Sequence, residues 1–109
     1  MRSELVAERT VRRDALDRIQ VFIGLRGLVD LGTQPILEEA LDRALAEPGV
    51  AEIVVDLEHL IMLDSTGIAT LLSAYRTGLA GGIVVRARNA GGLVLRVLEI
   101  TGVRKTLEG

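Results

Sequence analysis

Residues 63–72 read Leu-Asp-Ser-Thr-Gly-Ile-Ala-Thr-Leu-Leu, an acid, two hydroxyls and a glycine between an apolar run and a helical pattern. The side chain of Asp64 suits a helix N-cap, because its carboxylate can accept the orphan N–H groups of a first turn. Its charge also complements the positive end of the helix dipole. Gly67 is harder to place. A glycine inside a helix costs about 1 kcal/mol against alanine, so it is expected where another surface must approach the backbone closely. A helix start of this kind also suits a phosphate, since free N–H groups and the dipole both favour an anion.

On a helical wheel, Ile68, Leu71, Leu72, Tyr75 and Leu79 share one face and are expected to point inward. Thr66, Thr70, Ser73 and Thr77 fall on the other face, with Ser65 at the border. By phase alone, Thr66 is the more exposed of the two hydroxyls. Other candidates for chemistry are weaker. His59 lies near Asp64 and Ser65 in sequence, but nothing supplies the geometry of a triad, and it reads as a surface loop residue. Neither Gly81-Gly82 nor Gly91-Gly92 belongs to a GxxxxGK[ST] phosphate loop, so both read as turns. Arg9, Arg12 and Arg13 are interspersed with Glu8, Asp14 and Asp17, the pattern of a solvated edge. No catalytic residue and no metal ligand is assigned.

The elements that position this stretch follow from periodicity. Val21, Ile23 and Leu25 alternate with Gln20 and Phe22, so Ile19 to Leu25 reads as a strand, and Val6 to Val11 can pair with it as an edge hairpin. Thr33 is expected to cap a helix whose first turn holds Pro35. Ile36, Leu37, Ala40, Leu41, Ala44 and Leu45 form its apolar face, and Pro48-Gly49 ends it. Glu52 to Leu57 reads as a strand covered on both faces, followed by a loop from Glu58 to Asp64. The helix that starts at Asp64 runs to about Ala80. Gly82 to Arg88 reads as another buried strand, Asn89 to Gly92 as a turn, and Leu93 to Ile100 as a third helix closed by Gly102. Val103 to Gly109 is expected to add a short strand or lie on the surface. Such alternation predicts an α/β domain with a mixed, mostly parallel sheet, the helices packed against it. Ligands or partners are then expected at loops after strand C-termini, including Glu58 to Asp64.

Composition narrows the function. The chain has 109 residues, enough for a single domain over 1–109, and 49% of them are hydrophobic. A net charge of −2 and 2% aromatic residues argue against direct nucleic-acid binding, which needs cations for phosphates and rings for bases. The absence of cysteine excludes disulfides, thiolate catalysis and cysteine-based zinc sites. The opening MRSELVAERT has no apolar h-region, and no run approaches the length of a membrane span. A cytoplasmic protein without a membrane segment is the expectation.

The stretch IVVDLEHLIMLDSTGIATLLSAYR strongly resembles the core of the STAS domain of bacterial anti-sigma-factor antagonists. That family's pattern is an apolar strand ending in Asp-Leu, a short apolar-rich loop, then Asp-Ser-Ser/Thr-Gly opening a helix. Asp56-Leu57 and Asp64-Ser65-Thr66-Gly67 match it at the correct separation. VFIGLRGLVDLGTQPILEEAL is similar to the family's strand, Gly-Glu-Leu-Asp turn and first helix, so the likeness spans about residues 19 to 107. Gly27-Leu28-Val29-Asp30 keeps the aspartate of that turn, but Leu28 stands where the family has glutamate.

The resemblance implies a STAS fold and a switch protein rather than an enzyme. The unphosphorylated form would bind an anti-sigma factor that is also a serine kinase, and so release a sigma factor. Phosphorylation would fall on Ser65, with Thr66 as the second candidate, and a phosphatase would reverse it. Partner-binding residues would be Asp30, Thr33, Asp64, Ser65, Thr66 and Gly67. No cofactor is implied. The alternative is a STAS module without a switch, serving as a scaffold or as a subunit that binds a nucleotide or lipid-transport machinery.

Overall fold

A computed structural model describes residues 4–108, and residues 1–3 and Gly109 lie outside that range. Two strands open the chain, β1 (Leu5–Arg13) and β2 (Ile19–Val29). Then follow α1 (Gln34–Leu45), β3 (Val50–Leu63), α2 (Ser65–Ala80), β4 (Val84–Arg88), α3 (Gly92–Ile100) and α4 (Arg104–Glu108). The sheet order is β1-β2-β3-β4. The hairpin β1–β2 is antiparallel, whereas β2–β3 and β3–β4 are parallel and joined by helical crossovers, as the alternating pattern predicts.

One face of the sheet carries the core. Val21, Ile23, Ile53, Val55, Val85 and Ala87 point into it, together with the buried residues of all four helices. With one phenylalanine and one tyrosine in the chain, the core is built from Leu, Val, Ile and Ala. Among the described residues, no helix packs on the other face. Phe22 stands there between two guanidinium groups, Arg12 at 4.6 Å and Arg88 at 5.4 Å from the ring centroid.

Several expectations are corrected. The segment from Glu58 is not a loop: β3 runs on to Leu63 and pairs with the end of β2. Register shifts between Gly24 and Arg26 and between Gly27 and Leu28 break the period-two pattern there, which hides the strand from a periodicity argument. β4 is not covered on both faces. It is an edge strand whose Val85 and Ala87 are buried while Val84, Arg86 and Arg88 are exposed. Arg104–Glu108 form no strand but the short helix α4, exposed at Arg104 to Thr106 and anchored by the buried Leu107. The hairpin does form, and it is longer than expected at both ends.

Candidate functional site

β2 and β3 run side by side with Val29 in register with Leu63, so both chains leave the sheet together, and each next residue is an aspartate. Asp30 and Asp64 therefore start two adjacent strand-to-helix turns at the C-terminal end of the sheet, where open α/β sheets place their sites. A hydrogen bond from the Asp64 N–H to the Val29 carbonyl (3.1 Å) ties the two turns together.

At the second turn, Asp64 is the N-cap of α2 in extended backbone conformation. Its Oδ1 accepts from the Thr66 N–H (3.0 Å), the Gly67 N–H (3.1 Å) and the Thr66 hydroxyl (2.6 Å). The two hydroxyls therefore differ. The Thr66 hydroxyl is committed to Asp64 on a half-buried side chain, whereas Ser65 is exposed and its hydroxyl makes no hydrogen bond among the described residues. Helical phase favours Thr66 as the freer hydroxyl; the capping bond reverses that order. Such an arrangement offers an accessible nucleophilic oxygen at a helix start.

Gly67 does not leave the backbone bare for a visiting surface. It is buried, and a Cβ there would meet Leu63 and lie 2.7 Å from Val29 Cγ1. The close approach that the glycine permits is internal: it lets the first turn of α2 settle onto the ends of β2 and β3. Gly78 does the same eleven residues on, where a Cβ would lie 2.7 Å from the Ile83 carbonyl and from Val85. The buried face of α2 is accordingly Gly67, Ile68, Leu71, Ala74 and Gly78, and Leu79 points to solvent. Leu72 and Tyr75 are half-buried against the core.

At the first turn, Asp30 Oδ1 accepts from the N–H groups of Gly32 and Thr33, both at 3.0 Å. Thr33 sits at the N-cap position of α1, but its side chain makes no capping bond to the helix. Instead its hydroxyl donates to the Leu28 carbonyl and accepts from the Asp30 N–H, both at 3.0 Å. The Asp30 carbonyl takes up the Gln34 N–H at 2.8 Å. Thr33 is buried, and its bonds shape the turn. Leu28 is half-buried and faces Met62 in register. Gly27 before it has φ +114, and a Cβ there would collide with the Glu4 carbonyl, which accepts the Leu28 N–H at 3.0 Å.

A bridge between the two helices was not legible in the sequence. Gln34 Nε2 donates to Thr70 Oγ1 at 2.8 Å, and the Thr70 hydroxyl donates to the Thr66 carbonyl at 2.8 Å. No local pattern announces a pair 36 residues apart. His59 is not gathered into the site: it is exposed on β3, opposite Arg26, with Glu58 at 3.8 Å.

Comparison with known proteins bears on the family and the fold. The family model described as "Mlab, STAS domain" matches residues 13–108. An anti-sigma factor antagonist from Mycobacterium paratuberculosis is similar at 27% identity and a TM-score of 0.70, over 94% of this chain and 83% of that one. The anti-sigma factor antagonist SpoIIAA in its unphosphorylated form superimposes with a TM-score of 0.70 at 22% identity, over 88% of this chain and 84% of its own. The Bacillus cell fate determinant SpoIIAA in the phosphorylated form gives 0.65 at 20% identity, over 92% and 89%. At those two identities the likeness concerns the fold. With 96 residues inside the family model, the chain belongs to the STAS-domain family, on the fold shared with anti-sigma factor antagonists.

Proposed function

We propose that the protein is an anti-sigma-factor antagonist whose binding is switched at Ser65. The unphosphorylated chain binds an anti-sigma factor with serine kinase activity through the Asp30 turn and the start of α2, and a sigma factor is released. The kinase transfers the γ-phosphoryl group of ATP to Ser65 Oγ; ADP and the hydroxyl proton leave. A phosphatase hydrolyses the phosphoester with one water, returning the serine and releasing inorganic phosphate. The single observation that carries this reading is the contrast at the α2 start: Ser65 exposed and unengaged, Thr66 bonded to Asp64 at 2.6 Å.

Phosphorylation adds about −1.5 to −2 charges at neutral pH. Asp64 and Asp30 already place two carboxylates at this end of the sheet. A phosphate added there and then docked would be desolvated beside like charges, which weakens binding without any change of fold. The helix start itself tolerates the phosphate.

The test is intact mass after incubation with candidate anti-sigma kinases and ATP. Wild type is expected to gain one phosphate, and Ser65→Ala none. In pull-downs Ser65→Ala should be retained and Ser65→Glu released, with affinity lower by at least tenfold, or about 1.4 kcal/mol. A wild type that binds the kinase yet never gains phosphate would leave the scaffold reading in its place. One phosphate on Ser65→Ala would move the site to Thr66.

A further inference from the structure

The flanks of α1 and α2 enclose a groove of about 460 Å³ that opens beside Thr66 and runs along α2 to Thr77. At 1.5 Å rise per residue this is about 16 Å, the length of three helical turns. Its walls are unlike one another. The α1 side carries the exposed carboxylates of Glu38 and Asp42, and the α2 side carries Thr70 and Ser73. Gln34 crosses the end near Thr66, donating to Glu38 at 2.6 Å and to Thr70 at 2.8 Å, so the channel open to an occupant lies beyond that bridge, toward Asp42, Ser73 and Thr77. The buried residues Leu41 and Ala74 form an apolar floor. No Lys or Arg lines this groove among the described residues. Arg43 of α1 is turned away, paired with Glu39 at 3.0 Å and lining a separate hollow beside β1. At the mouth stands Leu31, 76% exposed. It sits on a turn held by the Asp30 carboxylate, which accepts from the Gly32 and Thr33 N–H groups just after it. An apolar side chain on a pre-ordered turn loses little entropy on docking, which is how interface anchors gain their effect.

We propose that this groove is a docking channel for a basic amphipathic helix of a partner protein, with Leu31 as the apolar anchor at its mouth. An extended peptide is disfavoured, because both walls are helices whose backbone groups are already bonded and the groove offers no strand edge to extend. An apolar floor below carboxylates on the rim matches a helix with one apolar stripe flanked by Lys or Arg. The inference rests on the proposed switch only in that Thr66 belongs to both surfaces; occupancy of the groove requires no phosphate.

The probes are two synthetic helical peptides with the same leucine face, one bearing Lys and one Glu on the polar face. Each is titrated into the full chain and followed by amide NMR. The Lys peptide is expected to bind saturably, with shifts centred on Leu31, Glu38, Asp42, Thr70 and Ser73. Its Kd should rise at least tenfold in Leu31→Ala and in the double variant Glu38→Lys/Asp42→Lys. These positions are exposed, so unchanged amide dispersion verifies that the variants fold. The idea fails if neither peptide binds, if both bind equally, or if the shifts centre on the helix-free sheet face. It fails too if dimerisation of the free chain already fills the groove. The two proposals separate cleanly: a chain that binds the Lys peptide but is never phosphorylated keeps the groove and loses the switch. A chain phosphorylated on Ser65 that ignores the peptide does the reverse.

Discussion

Two adjacent hydroxyls, Ser65 and Thr66, acquire different fates from one carboxylate. Asp64 takes the Thr66 hydroxyl and two backbone N–H groups on a single oxygen, so capping the helix also engages one of the two hydroxyls. Sequence alone supplies the residue types and the cap. It does not supply the rotamer of Thr66, because a threonine after an N-cap can turn either to solvent or back to the capping acid. Asp14 shows the same economy at the β1–β2 turn, where it accepts the Arg18 N–H (2.9 Å), the Arg18 guanidinium (2.7 Å) and the Leu16 N–H (2.8 Å). Bonding to the Arg18 backbone N–H, with lesser help from its side chain and from Leu16, holds the Asp14 carboxyl below the usual carboxylate range. A depressed folded-state value means stability that is present above the unfolded value, near pH 4, and lost as pH falls through the lower folded one. Wild type should therefore exceed Asp14→Asn in urea midpoint at neutral pH, with the gap closing below about pH 4. A gap that widened on acidification would contradict this assignment.

At the scale of elements, α2 is seated by two glycines. Gly67 and Gly78 let the helix lie against Val29 and Leu63 at one end and against Ile83 and Val85 at the other. In Gly67→Ala and Gly78→Ala the gain in helix propensity, about 1 kcal/mol, is opposed by overpacking of about 1–3 kcal/mol. Each is expected to lose stability on balance. The sites are three helical turns apart and press on different residues, so the losses should add within about 0.5 kcal/mol. Chemical denaturation of the two single variants and the double variant checks both points; a stabilised single variant would show that the helix is not held so closely. The glycine at 67 is visible in the sequence as an anomaly that calls for a close approach, but only the fold shows that the approaching surface is Leu63 and Val29. Wheel phase assigns faces to large side chains and passes over the small ones, although here Gly67, Ala74 and Gly78 mark the contact. Likewise β3 was legible only as far as Leu57. Its continuation is bulged and carries Glu58, His59 and Ile61 into solvent, a pattern that imitates a loop.

Across the whole molecule the order of strands and helices followed from periodicity and punctuation, and the DSTG stretch placed the family. What stayed hidden depended on contacts between distant segments: the Gln34–Thr70 bridge, the burial of Thr33, and the role of the chain's last helix. α4 is short, yet Leu107 is 1% exposed and belongs to the common core. Leu107→Ala should therefore cost about 2–5 kcal/mol in unfolding free energy, whereas a decorative tail would tolerate it within about 0.5 kcal/mol. Burial of this kind makes the C-terminal helix a structural member of the domain.

One further property follows from where Tyr75 lies. The chain has no tryptophan and a single tyrosine, and that ring is half-buried on α2, the helix that starts at Ser65. Tyrosine emission, excited beyond the absorption of Phe22 on β2, therefore originates on one helix. Against a partner variant lacking Trp and Tyr, the native chain is its own optical reporter, and its signal reads the setting of α2 without any attached dye.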